Sequence, residues 1–229
     1  MPKINESKSE FMNIAAHELK TFLVPIIGYL EMLHNDRNLT SKQKEKIKIC
    51  IYSAKKLNNL VSDILDITKL EAGTLKFEFE TFDLAKALKQ AADNIMPAAK
   101  RKKLKFKTDI QSGLPLVRGD RKRISQVAAN LLDNAIKFTN KGVISLKARI
   151  KGKKIIVTVA DTGIGISKDN QRKLFTKFFQ IDTSFKKEPG STGLGLPICK
   201  RIVRGHKGKI WVVSRLSKGS SFLFAIPWT

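Results

Sequence analysis

The chain of 229 residues carries 44 lysines and arginines against 20 aspartates and glutamates, and 42% of its residues are hydrophobic. This length and hydrophobic content are ordinary for a globular protein with one or two domains, and no run approaches the roughly 18 apolar residues of a membrane span. The formal charge of +24 predicts salt-sensitive attraction to anions. Because zinc-finger spacing, an RNA-recognition signature and a basic region before heptads are all missing from the sequence, nucleic-acid binding is not favoured as the main function.

The two cysteines and the N-terminal residues bear on the compartment. Cys50 and Cys199 each lie in an apolar helical context without the spacing of a metal site, and residues 1–6 do not resemble a signal peptide. We therefore expect two reduced, structural thiols and a cytoplasmic location for this chain. A longer natural protein that contained it would still be compatible with a membrane tether.

The first predicted elements are two long helices, over residues 8–35 and from about residue 41 to residue 71. The polar turn between them is short and offers Thr40 or Ser41 as a helix cap, so the two helices must lie antiparallel. A lone hairpin leaves one apolar face open, and pairing with a second copy as a four-helix bundle would cover that face. The apolar positions at helical spacing are Phe11, Ala15, Phe22, Ile26 and Leu30, then Ile47, Ile51, Ala54, Leu57, Val61, Ile64 and Leu65.

After Gly73 the pattern changes to alternating strands and amphipathic helices, so the clear domain junction lies near this residue. This order of helices and antiparallel strands predicts an α/β sandwich. The predicted strands are 75–81, 104–108, 143–150, 154–160, 209–214 and 220–226, and the predicted helices are 84–101, 121–138 and 196–205.

The first helix places a histidine, a carboxylate and a hydroxyl close together. His17 and Thr21 are four residues apart and share a helix face, and Glu18 follows the histidine directly. A neutral imidazole can act as a nucleophile, and a neighbouring carboxylate can take its proton. Taken alone, these residues favour the simpler interpretation of a surface helix that carries an incidental histidine.

The helix predicted over residues 121–138 has one polar stripe on an otherwise apolar surface. Gln126, Asn130, Asn134 and Lys137 follow one another at helical spacing. An amide oxygen suits Mg²⁺, and a lysine one turn further on suits a phosphate. A merely solvated helix face is the alternative interpretation.

Two glycine-rich stretches lie beside predicted elements: the first follows a strand, and the second opens a helix. Asp161, Gly163 and Gly165 come directly after a strand, where glycines allow the backbone to approach a ligand closely. Gly193, Leu194 and Gly195 open a helix whose free N–H groups would attract phosphates. The polar stretch 181–191 between them is predicted to be a mobile lid. The Asp161 stretch by itself also fits an ordinary turn.

These segments, in this order, resemble those of sensor histidine kinases over nearly the whole chain. The matching motifs are the H-box around His17, the N-box at 130–139, the G1-box at 161–165, the F-box at 175–179 and the G2-box at 193–195. The resemblance implies a dimerisation and histidine phosphotransfer domain over residues 1–73. It further implies a catalytic ATP-binding domain over residues 74–229, with the α/β sandwich of the gyrase, chaperone and histidine-kinase type.

The resemblance also implies a role for each site residue. ATP would phosphorylate His17 with Glu18 as the base, and an aspartate of a response regulator receiver domain would then take the phosphoryl group. Thr21 would orient water for dephosphorylation of that regulator. In the nucleotide site, Asn134 would bind Mg²⁺, Asn130 and Lys137 would contact the ATP phosphates, and Asp161 would accept the adenine amino group. The other residues implied to bind nucleotide are Phe138, Gly163, Gly165, Gly193, Leu194 and Gly195.

The chain departs from the family pattern at one position. The family usually has proline directly after the threonine of the H-box, whereas this chain has Phe22 there and Pro25 three residues later. Because a proline frees the carbonyl four residues before it, the helix bend should move away from His17. Two other functions stay open on the sequence: an ATPase of the gyrase and heat-shock chaperone type, and a binding module that holds a regulator or nucleic acid without turnover.

Overall fold

The computed structural model describes residues 2–181 and 193–228, with side chains from residue 14 onwards except at positions 70 and 71. The chain divides after Leu75 into two compact units. In the part of the chain that is described, no helix combines the length and the hydropathy needed to cross a bilayer. The two units are considered separately below.

The first unit is a helical hairpin of α1 (Pro2–His34) and α2 (Ser41–Glu71). As predicted, Thr40 caps α2: its hydroxyl accepts a hydrogen bond from the Gln43 N–H, and the Gln43 side chain accepts one from the Thr40 N–H at 2.9 Å. This reciprocal pair satisfies two N–H groups that a helix start leaves free. Helix α1 continues through Pro25 without ending.

Within the hairpin, the buried contact consists of Ala16 and Leu23 on α1 packed against Val61 and the partly buried Leu65 on α2. The predicted stripe on α1 included Phe22 instead, but its side chain is 63% exposed. The difference arises because neighbouring helix positions point about 100° apart, and the hairpin uses the face of Leu23. The helices also expose other large apolar side chains: Ile14, Leu19, Val24, Ile26, Tyr29, Met32, Leu33, Ile49, Tyr52 and Leu57. Cys50 is exposed as well, whereas Cys199 is buried.

Helix α2 carries a carboxyl group, that of Asp63, which ionises at a higher pH than usual. Burial, and secondly the charge of Asp66, raises the pKa of Asp63 from 3.8 to about 6. A raised pKa means that the folded state resists ionisation, so Asp63 favours folding at acidic pH and this contribution is lost as the pH rises through about 6.

We therefore expect Asp63→Asn to stabilise the protein at pH 7.5. The full shift would correspond to about 3 kcal/mol, and partial solvent screening reduces the expected gain to about 1 kcal/mol. Thermal unfolding at pH 7.5 and pH 4 measures it, because the gain should fade as the carboxyl group of the unmodified chain becomes protonated. An equal effect at both pH values would contradict this account of Asp63.

The second unit contains seven strands and four helices among the described residues. Its central sheet has the strand order β2-β4-β5-β7-β6, and β1 pairs separately with β3. The elements are β1 (Glu80–Phe82), α3 (Leu84–Arg101), β2 (Lys105–Ile110), β3 (Val117–Gly119), α4 (Arg121–Phe138), β4 (Val143–Lys151), β5 (Lys154–Asp161), α5 (Lys168–Lys173), α6 (Gly195–Gly205), β6 (Lys209–Arg215) and β7 (Gly219–Pro227).

Helices α3, α4 and α6 pack on one face of the sheet. The side chains of β4 and β5 that point towards them are almost completely buried: Ile144, Leu146, Ala148, Ile155, Val157 and Val159. The predicted α/β sandwich is therefore confirmed. The short elements β3 and α5 were not predicted. The pairing of β2 with β4 is parallel and not antiparallel as expected, because the chain between these two strands passes through α4.

The stretch predicted as a strand at 75–81 is wrong for most of its length, since only its end forms β1. The alternating apolar residues Phe77 and Phe79 instead pack on the His206 ring, and both of their ring centroids lie 5.1 Å from its centroid. The Glu78 N–H donates to the carboxylate of Asp120 and forms no strand ladder. This segment is therefore held by the side chain that directly follows α6 and by the one that caps the start of α4.

His206 also fixes where α4 begins. Its Nε2 accepts a hydrogen bond from the Asp120 N–H at 2.8 Å, and its Nδ1 lies 2.8 Å from the carbonyl oxygen of Ile202. Asp120 in turn caps α4 by accepting from the Arg123 N–H at 3.0 Å. Gly119 is needed beside it, since a Cβ there would lie 2.8 Å from the imidazole. These bonds attach the start of α4 to the end of α6.

Candidate active site

The polar stripe predicted on α4 exists and is partly buried. The Asn134 side-chain amide donates to the Asn130 carbonyl oxygen at 3.1 Å, and Gln126 accepts from the Arg123 guanidinium at 3.0 Å. The Lys137 ammonium lies 5.3 Å from the centre of the Phe138 ring. The two amides are therefore in contact about one turn before the lysine, and amide oxygens together with a lysine are a donor set suited to a metal ion and phosphates.

The end of α4 is fixed by a lysine that the sequence did not single out. Lys102, just after α3, donates to the carbonyl oxygens of Ile136 and Lys137 at 3.0 and 3.2 Å. A cation at a helix C-terminus satisfies free carbonyl groups and complements the helix dipole. Lys102 therefore holds the part of α4 that carries Lys137 and Phe138.

The start of α6 approaches Asn130 closely. A Cβ atom added at Gly195 would lie 2.2 Å from Nδ2 of Asn130, so no side chain fits there without moving the asparagine. Before it, Gly193 has a φ of +69°, which favours glycine, and Leu194 is buried at 2% exposure. The glycines predicted as a phosphate cradle thus bring the N-terminus of α6 against the polar stripe of α4.

We expect Gly195→Ala to destabilise the second unit by about 1–3 kcal/mol, because the added methyl group must displace Asn130 or the start of α6. Thermal or denaturant unfolding measures this loss. The double variant Asn130→Ala with Gly195→Ala removes the clashing amide and should recover most of the stability. Equal destabilisation in the single and double variants would show that the Asn130 contact is not the cause.

Asp161 lies at the end of β5 and is partly buried. Its Oδ1 accepts a hydrogen bond from the Gly163 N–H at 2.8 Å. Burial raises the pKa of Asp161, while the backbone N–H groups of Gly163 and Ser220 act in the opposite direction. A carboxylate that is held by backbone donors in a partly desolvated place is a strong acceptor for a ligand amino group.

The two glycines after Asp161 are required by close backbone contacts. A Cβ at Gly163 would lie 2.2 Å from the carbonyl oxygen of Phe138, and one at Gly165 would lie 2.0 Å from that of Arg215. Gly165 also has a φ of +68°. The first glycine thus joins the loop to the end of α4, and the second joins it to the end of β6.

Two hydroxyl residues near this loop were missing from the predicted site residues. Thr139 directly follows α4 and is completely buried, yet its Oγ1 has no hydrogen-bond partner among the described residues. Ser220 of β7 lies opposite Asp161 in the strand register. A buried hydroxyl without a protein partner fits a place where a ligand or water completes the bonding. The only sequence signal for Thr139 was its position at the end of the polar pattern of α4.

The phenylalanine-rich segment after α5 is only partly buried. Phe175 and Phe179 are half-buried, whereas Phe178 is 70% exposed and has a φ of +60°. The Lys200 ammonium of α6 lies 5.6 Å from the Phe175 ring centre, which connects this segment with α6. The predicted lid at 181–191 lies outside the described residues from position 182 onwards.

His17, Glu18 and Thr21 lie in the first unit, and all three are exposed on α1. The Thr21 hydroxyl donates to the His17 backbone carbonyl at 3.1 Å, so these two residues share a helix face as predicted. Exposure leaves the imidazole accessible to a second protein or domain. The candidates for nucleophile, base and water-orienting hydroxyl are therefore on one unit, and the candidate nucleotide residues from α4, the Asp161 loop and α6 are on the other.

The fold and the site of the second unit define an ATP-binding domain. Residues 119–229 match the family model for histidine kinase, DNA gyrase B and HSP90-like ATPases, and residues 7–73 match that for the His Kinase A phospho-acceptor domain. The chain belongs to the sensor histidine kinase family.

Individual relatives agree with this assignment. The circadian input-output histidine kinase CikA of Synechococcus elongatus is 37% identical over 97% of this chain and 30% of its own length. The catalytic domain of histidine kinase ThkA is 32% identical, with a TM-score of 0.58, over 66% of this chain and 97% of that domain. Full-length ShkA, solved with AMPPNP, is 30% identical with a TM-score of 0.77 over 96% of this chain and 46% of ShkA. The chain spans 24–36% of the length of the curated relatives that it matches.

Proposed function

We propose that the chain is the kinase core of a two-component system, which phosphorylates His17 with ATP and passes the phosphoryl group to an aspartate of a response regulator receiver domain. Residues 1–73 would be the dimerisation and phosphotransfer domain, and residues 74–229 the catalytic domain. The observation that supports this most directly is the convergence of Asn130, Asn134 and Gly195 in a domain that follows an accessible histidine on a helical hairpin.

In the nucleotide site, each residue would act through the group that the fold presents. Asp161 would accept the adenine amino group, with the buried Thr139 hydroxyl beside the same loop. Asn130, Lys137 and the N–H groups at the start of α6 would hold the phosphates. Phe138, Gly163, Gly165, Gly193 and Leu194 would shape the site.

Asn134 would hold Mg²⁺, and its amide oxygen is a ligand of the type that this ion prefers. When bound, Mg²⁺ would neutralise phosphate charge that develops during transfer. The contact between Asn134 and Asn130 keeps the two amides in one orientation, so little further ordering is needed when the nucleotide binds.

At the acceptor, a lone pair of the His17 imidazole would attack the γ-phosphorus and ADP would leave. The exposed Glu18 carboxylate is adjacent and would take the imidazole proton. Thr21 would orient water when the regulator is dephosphorylated. Its hydroxyl donates to the His17 carbonyl in this structure, so it would orient that water by accepting a hydrogen bond from it.

The test of this function is the chemistry of the phosphorylated protein. After incubation with Mg²⁺ and γ-labelled ATP, a phosphohistidine should lose its label in acid and keep it in base. A protein that hydrolyses ATP without any label would support the gyrase and chaperone type of activity instead. Nucleotide binding with neither label nor hydrolysis would identify a binding module without turnover.

We also propose that the active chain is a homodimer through α1 and α2. The exposed Phe22, Ile26 and Tyr29 form part of an apolar face that a second hairpin would bury as a four-helix bundle. Light scattering should then give about twice the chain mass of 25.7 kDa, and Phe22→Glu should shift the protein towards monomers. A monomer at micromolar concentration for the unmodified chain would contradict this proposal.

A further inference from the structure

The sheet face that points away from α3, α4 and α6 is used by no step of the proposed kinase reaction. We call it the outer face. The strand register places Lys147, Thr158, Leu223 and Trp211 in one row across β4, β5, β7 and β6. The alternating positions above and below this row point the same way, because side chains of a strand alternate between the two faces. In the described residues, the charged members of this face are exposed and its apolar members are mostly half-buried.

The outer face is strongly cationic. Its only carboxylate in the described strands, Asp109, forms an ion pair with Arg149. The exposed cations belong to four of the five strands: Lys105, Lys107, Lys147, Arg149, Lys151, Lys154, Lys209 and Arg215. Such a concentration of one sign creates a potential that attracts a negatively charged surface.

An apolar strip lies between the cations of β4 and those at the two ends of β6. It consists of Ile156, Leu223, Trp211 and Val213. The register places Leu223 directly opposite Trp211, with Val213 two positions further along β6 and Ile156 diagonal to Leu223 on β5. Val213 is 61% exposed, and the other three are half-buried. An amphipathic tryptophan and aliphatic side chains surrounded by lysines combine the two attractions that hold a protein at the headgroup region of an anionic bilayer.

We propose that the outer face is a docking surface for an anionic phospholipid bilayer. A single-stranded nucleic acid fits it less well, because such ligands stack on several aromatic rings and Trp211 is the only aromatic residue among the outward positions of these strands. Binding of an acidic protein would normally involve pockets in which aromatic or arginine side chains are buried. This open face instead offers mainly flexible lysines, which match a fluid layer of phosphate groups.

The first test uses vesicles of phosphatidylglycerol and phosphatidylcholine, with pure phosphatidylcholine as the neutral control. The chain should sediment with the anionic vesicles at low salt and be released at high salt. In a Trp228→Phe variant, Trp211 is the only remaining tryptophan, and its emission should shift to shorter wavelength in the bound protein. Absence of binding to the anionic vesicles, or binding without this shift, would overturn the proposal.

A pair of charge variants separates docking by this face from the effect of the total charge. Neutralising Lys107, Lys147, Lys154 and Lys209 to glutamine should weaken binding at least about 100-fold, since each cation near an anionic surface contributes about fivefold. A matched variant removes the same charge from α3, at the exposed Lys86, Lys89, Lys100 and Arg101, and should bind nearly as well as the unmodified chain. Equal losses in both variants would overturn the proposal.

Two further measurements address the rival partners and the apolar strip. Val213→Glu, at an exposed position, should weaken vesicle binding at least about tenfold because it places a like charge against the lipid phosphates. If a single-stranded DNA oligonucleotide binds more tightly than the vesicles and loses that affinity in the sheet variant alone, the outer face is a nucleic-acid surface and the lipid assignment is wrong.

Discussion

His17→Ala should reduce labelling by γ-labelled ATP to background, a loss of at least about 1,000-fold, because no other group replaces the imidazole nucleophile. His17 is exposed on α1, so removing its ring should leave the hairpin folded. Transfer to the regulator should be lost to the same extent, since the phosphohistidine would be its only donor.

The control for His17 is the second histidine of the same helix. His34 is half-buried near the end of α1, and His34→Ala should retain labelling even if it changes stability. Nucleotide binding by the His17→Ala variant should also be unchanged. Full labelling of His17→Ala would show that another residue is the acceptor and would refute the proposed function.

Asn134→Ala should lower the labelling rate by at least about 100-fold, because the proposed reaction depends on positioning of Mg²⁺ and the phosphates. The substitution also removes the donor to Asn130 at 3.1 Å, so that the second amide is no longer held. Initial rates at several Mg²⁺ concentrations measure the effect, and the variant should need more Mg²⁺ for half-maximal rate.

The matched control is Asn140→Ala, which removes an exposed asparagine two residues after the end of α4 and should keep the original rate. Circular dichroism and thermal unfolding should show that both variants fold. Unchanged labelling and an unchanged Mg²⁺ requirement in Asn134→Ala would exclude Asn134 as the metal ligand.

Docking of the outer face would link the proposed kinase core to a membrane without a spanning helix. If it docks as proposed, the orientation of the second unit at the bilayer would be set by β2, β4 and β6. Because the candidate nucleotide residues lie on the opposite side of the sheet, at α4 and α6, docking would leave them accessible. Labelling rates in the presence of anionic vesicles would measure any coupling.

The positions of α3 and α4 were predictable because each depends on local chemistry. Asp83 and Asp120 cap α3 and α4 by accepting hydrogen bonds from residues three positions later, at 3.0 Å in both cases. The spacing of apolar residues then defines the buried face of each helix. Accordingly, the predicted ranges 84–101 and 121–138 agree with the observed helices.

The polar stripe on α4 was likewise visible in the sequence, since Asn130 and Asn134 are one helical turn apart. The sequence could not reveal the contact of Gly195 with Asn130, because this contact depends on the packing of α6 against α4. The burial of the Thr139 hydroxyl is also a tertiary property. Neither spacing nor residue type reports how two distant segments meet.

The segment at 75–81 shows the opposite case, in which a clear local pattern led to an incorrect strand. Alternation of Phe77 and Phe79 indicates only that every second side chain is buried, and here His206 provides the buried surface. Similarly, the apolar residues of α1 showed that the helix has buried faces, but the hairpin selected Leu23 and left Phe22 exposed.

The sequence was sufficient to predict every helix except α5, most of the strands, the α/β sandwich and the residue types of the site. These follow from short-range spacing and from motifs whose members are close in the chain. The tertiary structure alone decided the parallel pairing of β2 with β4, the anchoring of α4 by His206 and Lys102, and the apolar and cationic composition of the outer face. Each of these depends on contacts between residues far apart in the sequence, and their free energy is set by which surfaces the folded chain brings together.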